Sequence, residues 1–139
     1  MRPVHPASRR LVLSALLIAA FLAASGAAAR EIPTQTPFTP ESFARSQREG
    51  KPILVYISAS WCPTCAIQQP ILDQLIEAPE FHDLLVYRID FDTQKDFVRA
   101  MGAQIQSTLI VFHGFTEKGR LIGDTDRDAI KALLDKAYQ

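Results

Sequence analysis

Cys62 and Cys65 are the only two cysteines of the 139-residue chain, and they stand three apart in Trp61-Cys62-Pro63-Thr64-Cys65. Thiols at that spacing can close and open a disulfide with each other, supply half of a zinc site, or form a structural crosslink. A tetrahedral zinc site needs two further ligands, and beyond residue 29 the histidines are His82 and His113, which form no companion pair, so no metal is expected. A crosslink over so short a loop restricts the unfolded chain little, so stability alone is a poor reason for it. Reversible thiol chemistry asks for nothing the chain lacks.

The elements on either side of the motif give that chemistry a physical basis. Ile53-Leu54-Val55-Tyr56-Ile57 is the β-branched and aromatic run of a strand buried on both faces, as in a parallel sheet. A helix is expected directly from the motif, carrying Ile67, Ile71, Leu72, Leu75 and Ile76 at helical spacing, kinked by Pro70 and stopping near Ala78-Pro79. A thiol at a helix N-terminus faces unpaired N–H groups and the positive end of the helix dipole, which favour thiolate over thiol. In such motifs the free value of about 8.5 falls to roughly 3.5–7.5, which makes Cys62 the nucleophile at neutral pH. Cys65, one turn on and expected deeper in the packing, can reach back to close the disulfide and is the resolving thiol.

The remaining elements follow from local signals. Thr39-Pro40-Glu41 starts a helix that Gly50-Lys51-Pro52 ends. Leu84 to Ile89 is a second strand, Thr93 to Met101 a short helix closed by Gly102, and Thr108 to Phe112 a third strand. A turn over Gly114 to Gly119 leads to a short strand at Arg120 to Ile122. Thr125 is placed to cap a last helix with Ala129, Ile130, Leu133, Leu134 and Ala137 on its buried face. The order β-α-β-α-β-β-α after a leading helix specifies an α/β class with a mixed sheet. Asp124, Asp126 and Asp128 lack the Gly and distant Glu of a calcium loop and read as helix capping. His82 and His113 read as surface or loop residues, and Phe112 as core; Trp61 and Phe115 are aromatic candidates for a substrate groove.

Lysine and arginine number 15 against 15 acidic residues, which gives no electrostatic reason to expect nucleic acid as partner, and 47% apolar content excludes a wholly disordered chain. Residues 1–29 stand apart, with three arginines and no acid. Arg9-Arg10 closes a basic stretch, Leu11 to Leu22 is apolar, and Ala23 to Ala29 is made of small residues, the pattern of a secretory signal cut after Ala29. The expected partition is therefore a cleaved signal at 1–29, a linker or short edge strand at 30–37 and one domain at 38–139, in the periplasm or secreted, with no stable membrane insertion after cleavage. The alternative is an N-terminal membrane anchor, since Leu11 to Ala29 is uncharged and about 20 such residues span a bilayer. Ser8-Arg9-Arg10-Leu11-Val12-Leu13 also resembles a twin-arginine export signal. In an exported compartment the two cysteines can persist as a disulfide.

With Trp61-Cys62-x-x-Cys65, Pro70 before Ile71-Leu72-Asp73, Arg88-Ile89-Asp90 and Thr108-Leu109 all in place, residues 38–138 resemble a thioredoxin-fold protein. The resemblance implies a thioredoxin fold, with a central mixed β-sheet flanked by helices on both faces. It implies dithiol–disulfide exchange without a bound cofactor: Cys62 attacks a substrate disulfide and Cys65 displaces the reduced product. It also implies protein disulfide substrates docking over Trp61, Pro63, Thr64, Gln106 and Ser107, and a membrane thiol donor if the protein acts as a reductase. The Pro63-Thr64 dipeptide is similar to that of exported thioredoxins of cytochrome c maturation. Tyr56 stands where the family carries a buried Asp that accepts a proton, Ser107 where it carries a cis-proline, and Ala66 where a lysine often follows the motif. Without proline the bond before Ser107 is expected trans, with the 103–107 loop rearranged and the Ser107 hydroxyl open to a partner. The alternative function is a non-catalytic binding module of the same fold with a fixed disulfide.

Overall fold

The computed structural model describes residues 35–139, so the expected signal and its cleavage point lie outside the described residues. Five strands form one mixed sheet in the order β1-β3-β2-β4-β5, with β1 at Thr36–Pro37, β2 at Pro52–Ser58, β3 at Leu85–Asp90, β4 at Thr108–His113 and β5 at Thr116–Ile122. The central strand β2 is buried at every position, as its continuous apolar run requires. It is parallel to β3 on one side and antiparallel to β4 on the other, so the sheet changes sense at β4. Thr36 and Pro37 pair with β3 as a short edge strand.

Helices cover both faces. α2 (Pro63–Ile76) and α4 (Arg127–Lys136) bury Leu72, Leu75, Ile76, Ile130, Leu133 and Leu134 against Leu54, Tyr56, Leu109 and Val111. On the opposite face α1 (Pro40–Arg48) and α3 (Lys95–Ala100) set Phe43 and Val98 against Ile53, Val55, Ile57 and Ile110. Alternation along β2 thus feeds two separate cores, and each strand residue has one assigned side. α1 starts as its sequence demands, with the Thr39 hydroxyl accepting from Ser42 N–H at 3.2 Å and Pro40 in the first turn.

Four expectations are corrected. β5 starts at Thr116, so the connection is a tight turn at Gly114-Phe115 and not a loop reaching Gly119. Gly114 serves that turn with φ +55, where a side chain would meet the Gln47 carbonyl at 3.2 Å. The polar run Glu117-Lys118-Gly119-Arg120 lies along the sheet edge, and the register slips between Val111 and Phe112, which hides the strand from an alternation test. The α4 cap is Asp126, whose carboxylate accepts from Ala129 N–H at 2.8 Å, and not Thr125. On α2 Gln68 is fully buried, while Ile67, expected on the buried face, is exposed. Phe115 sits in the β4–β5 turn, where His113 pairs with Pro52 and Thr116; this is the far end of β2 from Cys62, so it flanks no groove there. Pro79–Phe81 adds a 3-10 turn after α2.

Candidate active site

The end of β2 hands the chain over to α2 in four residues, and Cys62 is the N-cap of that helix. Its sulfur accepts the Cys65 backbone N–H at 3.1 Å, the capping bond that Ser or Asp would otherwise make. Pro63 occupies the first turn, and no acidic side chain lies there to oppose a thiolate. Cys62 and Cys65 are joined by a disulfide, with Cα atoms 5.2 Å apart. Their exposures are 3% and 5%, so in this oxidised state Cys65 is no deeper than Cys62. What distinguishes them is the cap: Cys62 alone carries its sulfur at the unpaired N–H groups of the helix.

Tyr56 lies under the pair. Its hydroxyl donates to the Cys65 carbonyl at 3.2 Å, and burial pushes its pKa up to about 12, against a smaller downward pull from Arg88 and an upward push from Asp73. At neutral pH such a phenol holds its proton and cannot serve as base. A cavity of about 180 Å³ opens beside the disulfide, lined by Tyr56, Ala59, Ser60, Ala66, Gln69 and Arg88 as well as both cysteines. Arg88 pairs with Tyr56 in register across β2 and β3 and brings a guanidinium to this cavity.

The remaining expected residues divide by position. Trp61 is 57% exposed, and its indole N–H donates to Asp92 at 2.7 Å, which ties the residue before Cys62 to the turn after β3. Pro63 is exposed, while Thr64 and Gln106 are half-buried. Ser107 is brought to the same end of the sheet, because Thr108 pairs with Ile57 just before the motif. No cis peptide bond occurs among the described residues, so the bond before Ser107 is trans, and Ser107 takes a left-handed φ of +61. Its hydroxyl donates to Gln68 Oε1 at 2.8 Å, which corrects the expectation of a hydroxyl open to a partner. Among the described residues no three His, Cys, Asp or Glu side chains group as a metal site requires. His82 Nδ1 lies 2.7 Å from the Pro79 carbonyl and His113 Nδ1 2.8 Å from that of Ala137. No described helix is long and apolar enough to cross a membrane.

Gln68 and Asp92 were not singled out by sequence reasoning, and Arg88 was named only within the strand motif Arg88-Ile89-Asp90, not as a site residue. Gln68 could have been found by spacing: Cys65, Gln68, Leu72, Leu75 and Ile76 form one stripe at steps of three and four, the face that α2 buries.

A family model described as thioredoxin matches residues 34–136. The thioredoxin of Alicyclobacillus acidocaldarius is 28% identical over 101 residues, covering 73% of this chain and 95% of its own length. That of Chlamydia muridarum is 30% identical over 96 residues, covering 69% of this chain and 91% of its own. A crystal structure of Trxlp from Edwardsiella tarda superposes with a TM-score of 0.71 at 36% identity, covering 73% of this chain and 98% of that one.

Proposed function

Since the chain belongs to the thioredoxin family and is a dithiol–disulfide oxidoreductase, we propose that it acts in an exported compartment as a reductase of protein disulfides, recharged by a membrane thiol donor. The observation that carries the thiol chemistry is the Cys65 N–H held on the Cys62 sulfur at the start of α2. That bond and the helix terminus stabilise negative charge on Cys62, the sulfur that caps α2. The reductive direction is supported by the likeness to proteins named thioredoxin. The exported compartment is supported by the signal-like pattern of residues 1–29, with residues 38–139 as the working domain.

In the reduced protein the Cys62 thiolate attacks one sulfur of a substrate disulfide. The substrate S–S bond breaks, its other sulfur leaves as thiolate and is protonated by water, and Cys62 is held in a mixed disulfide. Cys65 then releases its proton to solvent and attacks the Cys62 sulfur. The Cys62–Cys65 bond forms, and the second substrate sulfur leaves and is protonated in turn. The substrate gains two electrons and two protons; the protein ends as the disulfide. Tyr56 takes no part in proton transfer, because burial holds its pKa near 12. The cavity beside Cys65, with Arg88 in its lining, is the opening through which solvent would take that proton.

Substitution Cys65→Ala removes the second attack, so substrate proteins should accumulate in cells as mixed disulfides on Cys62. Trapped periplasmic or secreted proteins support the reading; no captured protein, together with slow or absent reduction of the natural disulfide by dithiothreitol, would replace it with the fixed-disulfide binding module. N-terminal sequencing of the mature form should begin at Arg30, and Met1 or Arg2 on a membrane-bound protein would replace export with anchoring.

A further inference from the structure

Gln68 is a polar side chain with no exposure at all, three residues after Cys65 on the same face of α2. All its hydrogen-bonding goes to two loops that converge on the site. Its Oε1 accepts from the Ser107 hydroxyl at 2.8 Å, and its Nε2 donates to the Asp124 carbonyl at 2.6 Å and to the Ser107 carbonyl at 3.4 Å. The Ser107 carbonyl also accepts from Gly123 N–H at 2.8 Å. Gln68 therefore joins the helix that carries the disulfide to the turn before β4 and to the segment between β5 and α4.

Ser107 needs such a clamp. It is the one residue other than glycine with positive φ among the described residues, and it is buried to 3% exposure. A left-handed serine is less favourable than a left-handed glycine and persists where its surroundings over-determine it. Gln68 and Gly123 supply that surrounding, gripping the hydroxyl and the carbonyl of the same residue. A buried amide left without these partners would itself be destabilising, so the arrangement holds from both sides. Residues three apart on a helix sit about 5–6 Å apart at Cβ, which places the clamp one turn from the resolving cysteine.

We propose that Gln68 is a positioning residue: it fixes the left-handed turn at Ser107 against α2, and so sets how the preceding residue, Gln106, presents its backbone to an extended protein substrate. The inference rests on the reading of this end of the sheet as a docking site for protein disulfides. It assigns Gln68 no contact with the reacting sulfurs. A substrate that uses the backbone of Gln106 should feel its loss, and a small disulfide that meets only Cys62 should not.

The test compares the reduced protein with its Gln68→Met variant, which keeps length and apolar bulk while removing both amide functions. Rate constants are measured with insulin as protein disulfide and with 5,5′-dithiobis(2-nitrobenzoate) as small disulfide, alongside amide hydrogen exchange over residues 103–108 and at Gly123. The expected result is a loss of about tenfold with insulin, a change of less than about twofold with the small disulfide, and faster exchange confined to those two segments. Equal losses with both disulfides, or unchanged exchange, would overturn the proposal. Ser107→Gly keeps the left-handed φ and removes only the hydroxyl; combined with Gln68→Met it should add no further loss, and additive effects would also overturn the coupling. Should Gln68→Met not fold, Gln68→Leu carries the comparison, with the same selective loss expected and its absence decisive. If the natural protein fails to reduce insulin while the exchange pattern appears in the variant, the docking reading fails and the clamp stands.

Discussion

Replacing Tyr56 with phenylalanine removes one oxygen from beneath the disulfide, and its effects should separate by pH. With the phenol pushed up to about 12, roughly one molecule in 10⁵ carries phenolate at pH 7. The variant therefore loses no base, and the rate at which Cys65 resolves a mixed disulfide should stay within about twofold of the natural protein from about pH 6 to 9. What is lost is the bond to the Cys65 carbonyl at 3.2 Å, a net of about 1 kcal/mol and a fall of roughly 4–8 °C in Tm. At alkaline pH the sign reverses. An unfolded tyrosine releases its proton near pH 10, whereas the folded Tyr56 keeps it until about 12. The stabilisation that goes with the raised pKa is complete below pH 10 and is lost as pH climbs to 12, about 1.4 kcal/mol of it by pH 11. Phenylalanine has no such loss, so the variant should become the more stable protein near about pH 11. Urea unfolding from about pH 7 to 11.5, run beside stopped-flow resolution of a Cys62 mixed disulfide, reads both effects. A tenfold drop in resolution at neutral pH would make the phenol a proton carrier; no crossing of stabilities by the top of the range would refute its shielding by burial.

Two further predictions concern the frame that holds the site. Asp90 Oδ1 accepts from Asp92 N–H, Thr93 N–H and the Thr93 hydroxyl, and these bonds, those of Thr93 foremost, hold its pKa below the ordinary carboxylate value of 3.8. Its stabilisation is present above that pH and disappears as pH falls toward the folded pKa; Asp90→Asn keeps an acceptor oxygen and loses only the charge, which solvent screens at this partly exposed site, so it should cost no more than about 0.5 kcal/mol at pH 7, with the gap to the natural protein closing below about pH 4 in thermal unfolding. Asp126→Ala should destabilise α4 by about 1 kcal/mol, whereas Thr125→Ala should change stability by less than about 0.5 kcal/mol, as chemical denaturation can show.

Where sequence reasoning reached the structure, the signals were local and strong. The apolar run of β2, the Thr39-Pro40 helix start and the cysteine pair between strand and helix each state their environment within a few residues. Where it missed, the deciding interactions were long-range. Ile67 satisfies helical spacing as well as Gln68 does, but the buried position goes to the residue that meets Ser107, 39 positions away. Thr125 and Asp126 are both good caps, and the helix starts one residue later than expected, with the Asp126 carboxylate on Ala129 N–H. The polar residues of β5 show no alternation because a bulge interrupts their pairing on an exposed edge. Ser107 could be read as a site without proline, and its bond is trans, yet nothing in the sequence indicated that its hydroxyl would turn inward to an amide on α2.

The division of labour between the two sulfurs rests on one bond, the Cys65 N–H on Cys62 Sγ at the helix start, and brief alkylation of the freshly reduced protein at neutral pH tests it most directly. Mass spectrometry of the quenched digest should find the label on Cys62 long before Cys65, since only Cys62 is held as thiolate by the helix terminus. Equal labelling, or labelling of Cys65 first, would contradict the assignment of nucleophile and resolving thiol.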